Sequence, residues 1–253
     1  RAVAARFPAG AVHVSLDGAE DAGVLVPEAA SALGVVAATA AELGARLAVM
    51  TRRAPALLVL DGFDRYVENA GQVGELLASV ANLTVLATSR EPLRLTAEQV
   101  YRVQPLPAPS ATSLFRARAR AVVGDRAIDD DGAVVDDICA RLDGLPLAIE
   151  LAADRARLLP LRALLERLEH RLELLTGGPR DLPERQRSLR ATLEWSWDAL
   201  EEPERQLLRQ LTVFEGGASL EATEAVCDSE LGGGPEALVS SLLDKSSLLR
   251  TDS

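Results

Sequence analysis

Ala56–Leu60 (ALLVL) is a run of apolar residues that stops at Asp61-Gly62, and it limits the fold more than any other stretch. The run is too short for a helix, and with no polar position in it both faces of the resulting strand are expected to be buried. Leu83–Ala87 (LTVLA) repeats the pattern and ends in Thr88-Ser89-Arg90. Ala11–Leu16 (AVHVSL), between Pro8-Ala9-Gly10 and Asp17-Gly18, reads as a third strand. Val100–Val103, ahead of the loop Gln104–Pro109, is a weaker fourth. Helix-period stretches lie between them, including Thr39–Arg53 and Glu68–Val80. Strands alternating with helices imply a parallel sheet with right-handed crossovers.

Beyond Pro109 the strand signals give way to helical periodicity. Ser110–Val123, Asp131–Leu142, Pro146–Leu158 and Leu161–Leu175 all read as helices. In the last, Leu161, Leu164, Leu165, Leu168, Leu172 and Leu175 form one stripe opposite Arg and Glu. Thr176–Pro183 (TGGPRDLP) mixes Gly, Pro and charge and reads as a linker. Helices resume at Ser188–Leu200, Pro203–Phe214, Ser219–Val226 and Pro235–Asp244, and Ser247–Thr251 reads as the start of a strand. The expected architecture is therefore an α/β part over residues 1–108, a helical domain over 109–180 and a third domain over 181–253.

Bulk composition excludes several chemistries. Of 27 basic residues only Lys245 is lysine, and it follows Asp244, so the phosphate-cradling string G-x-x-x-x-G-K-[ST] is absent from the chain. Schiff-base chemistry and a lysine-rich nucleic-acid arm are disfavoured by the same count. The formal net charge of −11 argues against broad nucleic-acid affinity. Cys139 and Cys227 lie far apart and outside any CxxC spacing, so they read as small buried hydrophobes. No Cys, His or carboxylate cluster forms around His13 or His170 in the sequence, and a His-based metal site is not expected. There is no apolar run long enough to span a membrane and no signal-peptide pattern, which makes a reducing cytoplasm the expected compartment.

The residues that could carry chemistry stand at strand ends. In open parallel sheets ligands bind outside the carboxyl ends of the strands. Asp61, in LLVLDGFD, sits at such an end, where a carboxylate can hold a Mg²⁺ that bridges phosphates. An Asp before a Gly is equally what an ordinary turn asks for. LTVLATSR places two hydroxyls and a guanidinium, Thr88, Ser89 and Arg90, at the neighbouring strand end, and these groups read phosphate oxygens. In LDGLPLAIE, Gly144 ends one helix and Pro146 opens the next, which by itself is helix punctuation.

Taken in order, LLVLDGFD, LTVLATSREPL, RLDGLPLAIELAA and SLRATLEWSWDALEEPERQLLRQLTVFEGGASLEATEAVC resemble the nucleotide-binding module of NB-ARC-type STAND P-loop ATPases, especially those of actinobacterial multidomain transcriptional regulators. The resemblance runs through nearly the whole chain. It implies a truncated parallel P-loop NTPase sheet, then an all-α domain, then a winged helix that packs over the nucleotide. It implies ATP or ADP with Mg²⁺ as cofactors, Asp61 as the metal-supporting carboxylate, and Arg90 facing the γ-phosphate. It also implies that Pro146 lies against the adenine ring, and Thr88, Ser89, Gly144 and Leu145 are the further candidate cofactor-binding residues.

Departures from the family pattern shape the functional expectation. The family's phosphate loop and its strand precede the first strand seen here. By family topology that strand lies between LTVLA and Val100–Val103, so the sheet is expected to lack an inner member. Arg1–Phe7 reads as the tail of the helix after that loop. Gly62 follows Asp61 where related ATPases carry a second, water-orienting acid, and Asp64 is the candidate substitute. A slow ATPase at most, acting as an ATP/ADP-dependent regulatory switch, is the expected function, with feeble nucleotide binding by this chain alone. The expected partners are adenine nucleotide, other domains of the same parent chain, and further copies on activation. Two alternatives stay open: a nucleotide-independent interaction scaffold, and a DNA-binding regulator acting through the winged helix. Glu221, Glu224 and Asp228 on one candidate recognition helix, with Glu236 and Asp244 on the other, disfavour DNA contact by these residues. Leu189, Leu193, Trp197 and Leu200 share one helical face, so Trp197 is expected in the core and Trp195 towards a neighbouring domain.

Overall fold

The computed structural model describes residues 4–16, 25–124, 132–178, 182–227 and 234–250. Asp17-Gly18, Asp131, Asp228, Thr251 and the middle of the Thr176–Pro183 linker lie outside them. The chain forms two compact units, Arg1–Tyr101 with Glu236–Ser253, and Arg102–Pro235.

The first unit is built on three strands, β1 (Gly10–Ser15), β2 (Ala56–Asp61) and β3 (Leu83–Ala87), all parallel and in the order β1-β2-β3. Between β1 and β2 run α1 (Leu25–Ala32) and α2 (Ala40–Met50); a 3-10 segment Phe63–Asn69 and α3 (Ala70–Ser79) connect β2 to β3. Thr39 caps α2 by accepting the Glu42 N–H, and the Glu42 carboxylate reaches back to the Ala38 N–H. Successive right-handed crossovers that advance in one direction lay their helices on the same side of the sheet. That side carries Val14, Leu16, Leu58, Leu60 and Leu83, packed against Leu43, Leu47, Phe63, Tyr66, Val73 and Leu76.

The alternation of side chains sends His13, Ser15, Leu57, Val59, Asp61, Leu86 and Thr88 to the opposite face. There Leu57 is buried, Val59 half-buried and Leu86 55% exposed. The expectation that β2 is buried on both faces therefore holds fully for one face only.

Val100–Val103 does not form a strand. Among the described residues the sheet ends at β3 with no strand beside this segment, and Val100, Tyr101 and Val103 stand exposed. Ser247–Arg250 forms no strand either. The N–H groups of Ser247 and Leu248 return to the Leu242 carbonyl and finish α12 (Pro235–Asp244), with Ser246 left-handed at φ 54°.

The second unit contains α4 (Ala108–Val123), α5 (Gly132–Arg141), α6 (Pro146–Arg155), α7 (Leu161–Arg167), α8 (Arg171–Leu174), α9 (Leu189–Asp198), α10 (Glu202–Leu211) and α11 (Leu220–Val226). Phe115, Ile138, Ile149 and Leu164 are completely buried at the centre of its core, with Cys139 beside them. Burial pushes the Cys139 thiol up from its ordinary value. Cys227 is only half-buried. The Leu161–Leu175 stripe is interrupted by a 3-10 turn at Leu168–His170, although Leu161, Leu164, Leu168 and Leu175 are all buried as expected. Arg155 ties the end of α6 to the end of α8 through the carbonyl of Leu174, and to the chain just after it through the hydroxyl of Thr176.

Trp197 departs from its expected core position. No residue of α9 is buried, Leu193 is 50% exposed, and Trp197 lies under the Arg209 guanidinium at 5.7 Å from the ring centre. Trp195 is stacked in the same way by Arg185. Among the described residues from 182 to 250 no strand forms, so the region is helical as far as it is described.

Candidate functional site

Parallel pairing brings Asp61, the last residue of β2, and Thr88, the residue after β3, to the carboxyl edge of the sheet. The Thr88 N–H donates to the Leu60 carbonyl, and the Thr88 carbonyl accepts from the Phe63 N–H. Between these two bonds the chain turns at Gly62, whose φ of 82° favours glycine over any residue with a Cβ. The turn leaves the Gly62 N–H pointing at Thr88 Oγ1, which accepts it at 2.9 Å. The same hydroxyl donates to Asp61 Oδ1 at 2.6 Å. Thr88 is thus committed twice to the β2 loop, and it fixes one oxygen of Asp61 while the carboxylate stays accessible.

Asp64 and Arg90 form a second pair in the opposite sense. The Arg90 backbone N–H donates to Asp64 Oδ1 at 2.8 Å, and Arg90 Nε donates to the same oxygen at 3.2 Å. Both side chains are largely shielded, 14% exposed for Asp64 and 25% for Arg90, so the pair is screened less than a surface ion pair. Ser89 turns back on its own loop and accepts the Glu91 N–H. The Arg90 carbonyl accepts the Ser246 hydroxyl at 2.8 Å, and Arg94 pairs with Asp244, so the residues after β3 also hold the end of α12.

Five of the residues singled out in the sequence, Asp61, Asp64, Thr88, Ser89 and Arg90, thus come together on two adjoining loops. Each loop orients a charged group of the other: Thr88 holds Asp61, and Asp64 holds Arg90. Such an arrangement can present a carboxylate oxygen to a cation beside a guanidinium held in a fixed place. Both Arg90 donors fall on the one oxygen Asp64 Oδ1.

Gly144, Leu145 and Pro146 belong to the second unit, at the junction of α5 and α6. Asp143 and Gly144 are both left-handed, at φ 53° and 65°. A Cβ at Gly144 would press into the Leu106 carbonyl oxygen, and the Leu106 N–H donates to the Gly144 carbonyl at 2.9 Å. Pro146 opens α6 with its ring at the first turn, and Leu145 is 42% exposed.

Sequence reasoning missed one neighbour of Asp61. His13 Nε2 stands 3.5 Å from Asp61 Oδ2. The signal was available in principle, since His13 and Asp61 each lie near the end of a strand, but only the register of β1 on β2 makes them adjacent.

The chain is similar to proteins of two mycobacteria. An uncharacterized protein of Mycobacterium tuberculosis is 43% identical over 173 residues, covering 67% of this chain and 44% of that protein. Proteins of M. tuberculosis and M. bovis bearing the name "Putative HTH-type transcriptional regulator" are 41% identical over 173 residues, 67% of this chain and 20% of each of them. The chain therefore spans less than half the length of these curated relatives. No family model matches it.

Proposed function

We propose that this chain is part of a transcriptional regulator and serves it as a nucleotide-responsive switch. Adenine nucleotide with Mg²⁺ would meet Asp61 and Arg90, and ADP and ATP would favour different states by binding them unequally. The observation that carries this reading is the crosswise pairing of Asp61 with Thr88 and of Asp64 with Arg90 at the carboxyl edge of a parallel sheet. The similarity to proteins named as transcriptional regulators supports the regulatory setting. Thr88 acts as the positioning residue of Asp61, and Asp64 as that of Arg90. With no Gly-Lys phosphate loop in the chain, nucleotide is held weakly by these residues alone. The acidic side chains Glu221 and Glu224 on α11, and Glu236 and Asp244 on α12, make these helices poor groove readers, so DNA contact is assigned elsewhere.

Amide NMR on the chain tests the reading. Millimolar Mg-ADP should shift the signals of residues 61–64 and 88–90, and Asp61→Asn or Arg90→Ala should abolish those shifts. If the shifts are absent, or persist unchanged in both variants, the switch reading fails. A micromolar affinity would overturn the weak-binding part alone.

A further inference from the structure

We infer that His13 and Asp61 together take a divalent transition-metal ion, with His13 supplying a nitrogen ligand, at the carboxyl edge of the sheet. The inference rests on the reading of Asp61 as a cation-holding carboxylate and adds a residue and a metal class to it.

The register Ser15↔Asp61 sets His13 one pleat back from Asp61 on the same face. Thr88 occupies Asp61 Oδ1, and Oδ2 is the oxygen that faces the imidazole, 3.5 Å from Nε2. Two atoms bound to one tetrahedral ion at about 2.1 Å each stand roughly 3.4 Å apart. The observed spacing therefore admits an ion between them with little movement of either side chain. Their side chains are 58% and 45% exposed, which leaves an open path from solvent.

Ligand type decides which ion. Carboxylate and water suit Mg²⁺, whereas imidazole suits zinc, copper, iron and nickel. Without nucleotide, a mixed nitrogen and oxygen pair selects the zinc-like class over Mg²⁺, which on the switch reading reaches Asp61 together with the nucleotide phosphates. Among the described residues no group of three His, Cys, Asp or Glu side chains is placed to hold a metal. The remaining coordination positions of this nucleotide-free site go to water.

The chain has only two histidines, so ring NMR signals can be followed one by one. The experiment uses tag-free protein, ZnCl₂ and MgCl₂ as probes, and no nucleotide. Zinc should move the His13 ring signals at concentrations that leave His170 unmoved. His13→Gln and Asp61→Asn should each weaken zinc binding at least tenfold, while Mg²⁺ should leave the His13 ring signals unchanged. Both substitutions fall at exposed or half-exposed side chains, and circular dichroism checks that each variant folds. Equal responses of His13 and His170, or unchanged zinc affinity in His13→Gln, would overturn the inference. A Mg-ADP response lost in Asp61→Asn, with zinc indifferent to His13→Gln, leaves the switch standing and removes the metal site. Zinc binding that needs both residues, with no Mg-ADP response, does the reverse.

Discussion

Thr88 and Asp64 do different work from their nearest alternatives, and substitution separates them. Thr88→Val keeps the shape and deletes the hydroxyl, which leaves the Gly62 N–H and Asp61 Oδ1 to water. Because the residue is exposed, the loss should be near 1 kcal/mol. Asp64→Ala removes the acceptor of two Arg90 donors in a shielded place. It should cost roughly 1.5–3 kcal/mol, as expected for hydrogen bonds to a charged group. Urea unfolding of both variants measures the two numbers, and a larger loss for Thr88→Val would contradict this assignment. That these side chains cluster at strand ends was legible in the sequence, since apolar runs stop at Asp61 and at Thr88. Their partners were not legible, because pairing depends on which strand lies beside which and in what register. His13 shows the same limit, being brought to Asp61 across 40-odd residues of chain by the ladder alone.

Among the elements, those fixed by local periodicity were read most faithfully. Pro235–Asp244 has the bounds read from its periodicity, and the three strands stand where their apolar runs are. Failures arose where a segment needs a distant partner. Val100–Val103 has strand composition but no ladder to join, and the helix α1 hides in a short stretch containing Pro27, tolerated in its first turn. The junction of α5 and α6 looked like simple punctuation, yet Gly144 is demanded twice, by its left-handed backbone and by the Leu106 carbonyl at its α-carbon. Gly144→Ala should therefore destabilise the second unit by roughly 2–4 kcal/mol. Thermal melting followed by circular dichroism measures this, and a loss below that of an ordinary surface change would refute the argument.

For the whole molecule, the two compact units and their separate cores predict where a protease enters first. Tyr101 is 88% exposed, whereas Phe63, Tyr66 and Phe115 are essentially inaccessible. It sits in an irregular stretch at the boundary of the units. Brief chymotrypsin treatment should cut after Tyr101 before any other aromatic residue, giving fragments 1–101 and 102–253 by mass spectrometry. Early cleavage at another aromatic residue, with the Tyr101-Arg102 bond intact, would contradict the boundary. The two-unit division itself was only half visible beforehand. The change from strand to helix signals marked its first border, while nothing local announces that α12 returns to the loop after β3 through Asp244 and Ser246.

Sheet order equals chain order in β1-β2-β3, and this gives the first unit a direction in time. During synthesis β2 and β3 each emerge to find the preceding strand already made, so every ladder bond can form by the time the helix after Ala87 leaves the ribosome. The Arg94–Asp244 and Ser246–Arg90 contacts have no such opportunity, since their second halves follow 150 and 156 residues after their first. The loops that carry Asp61 and Arg90 are therefore assembled early, and the brace against them is added only after the whole second unit has been made.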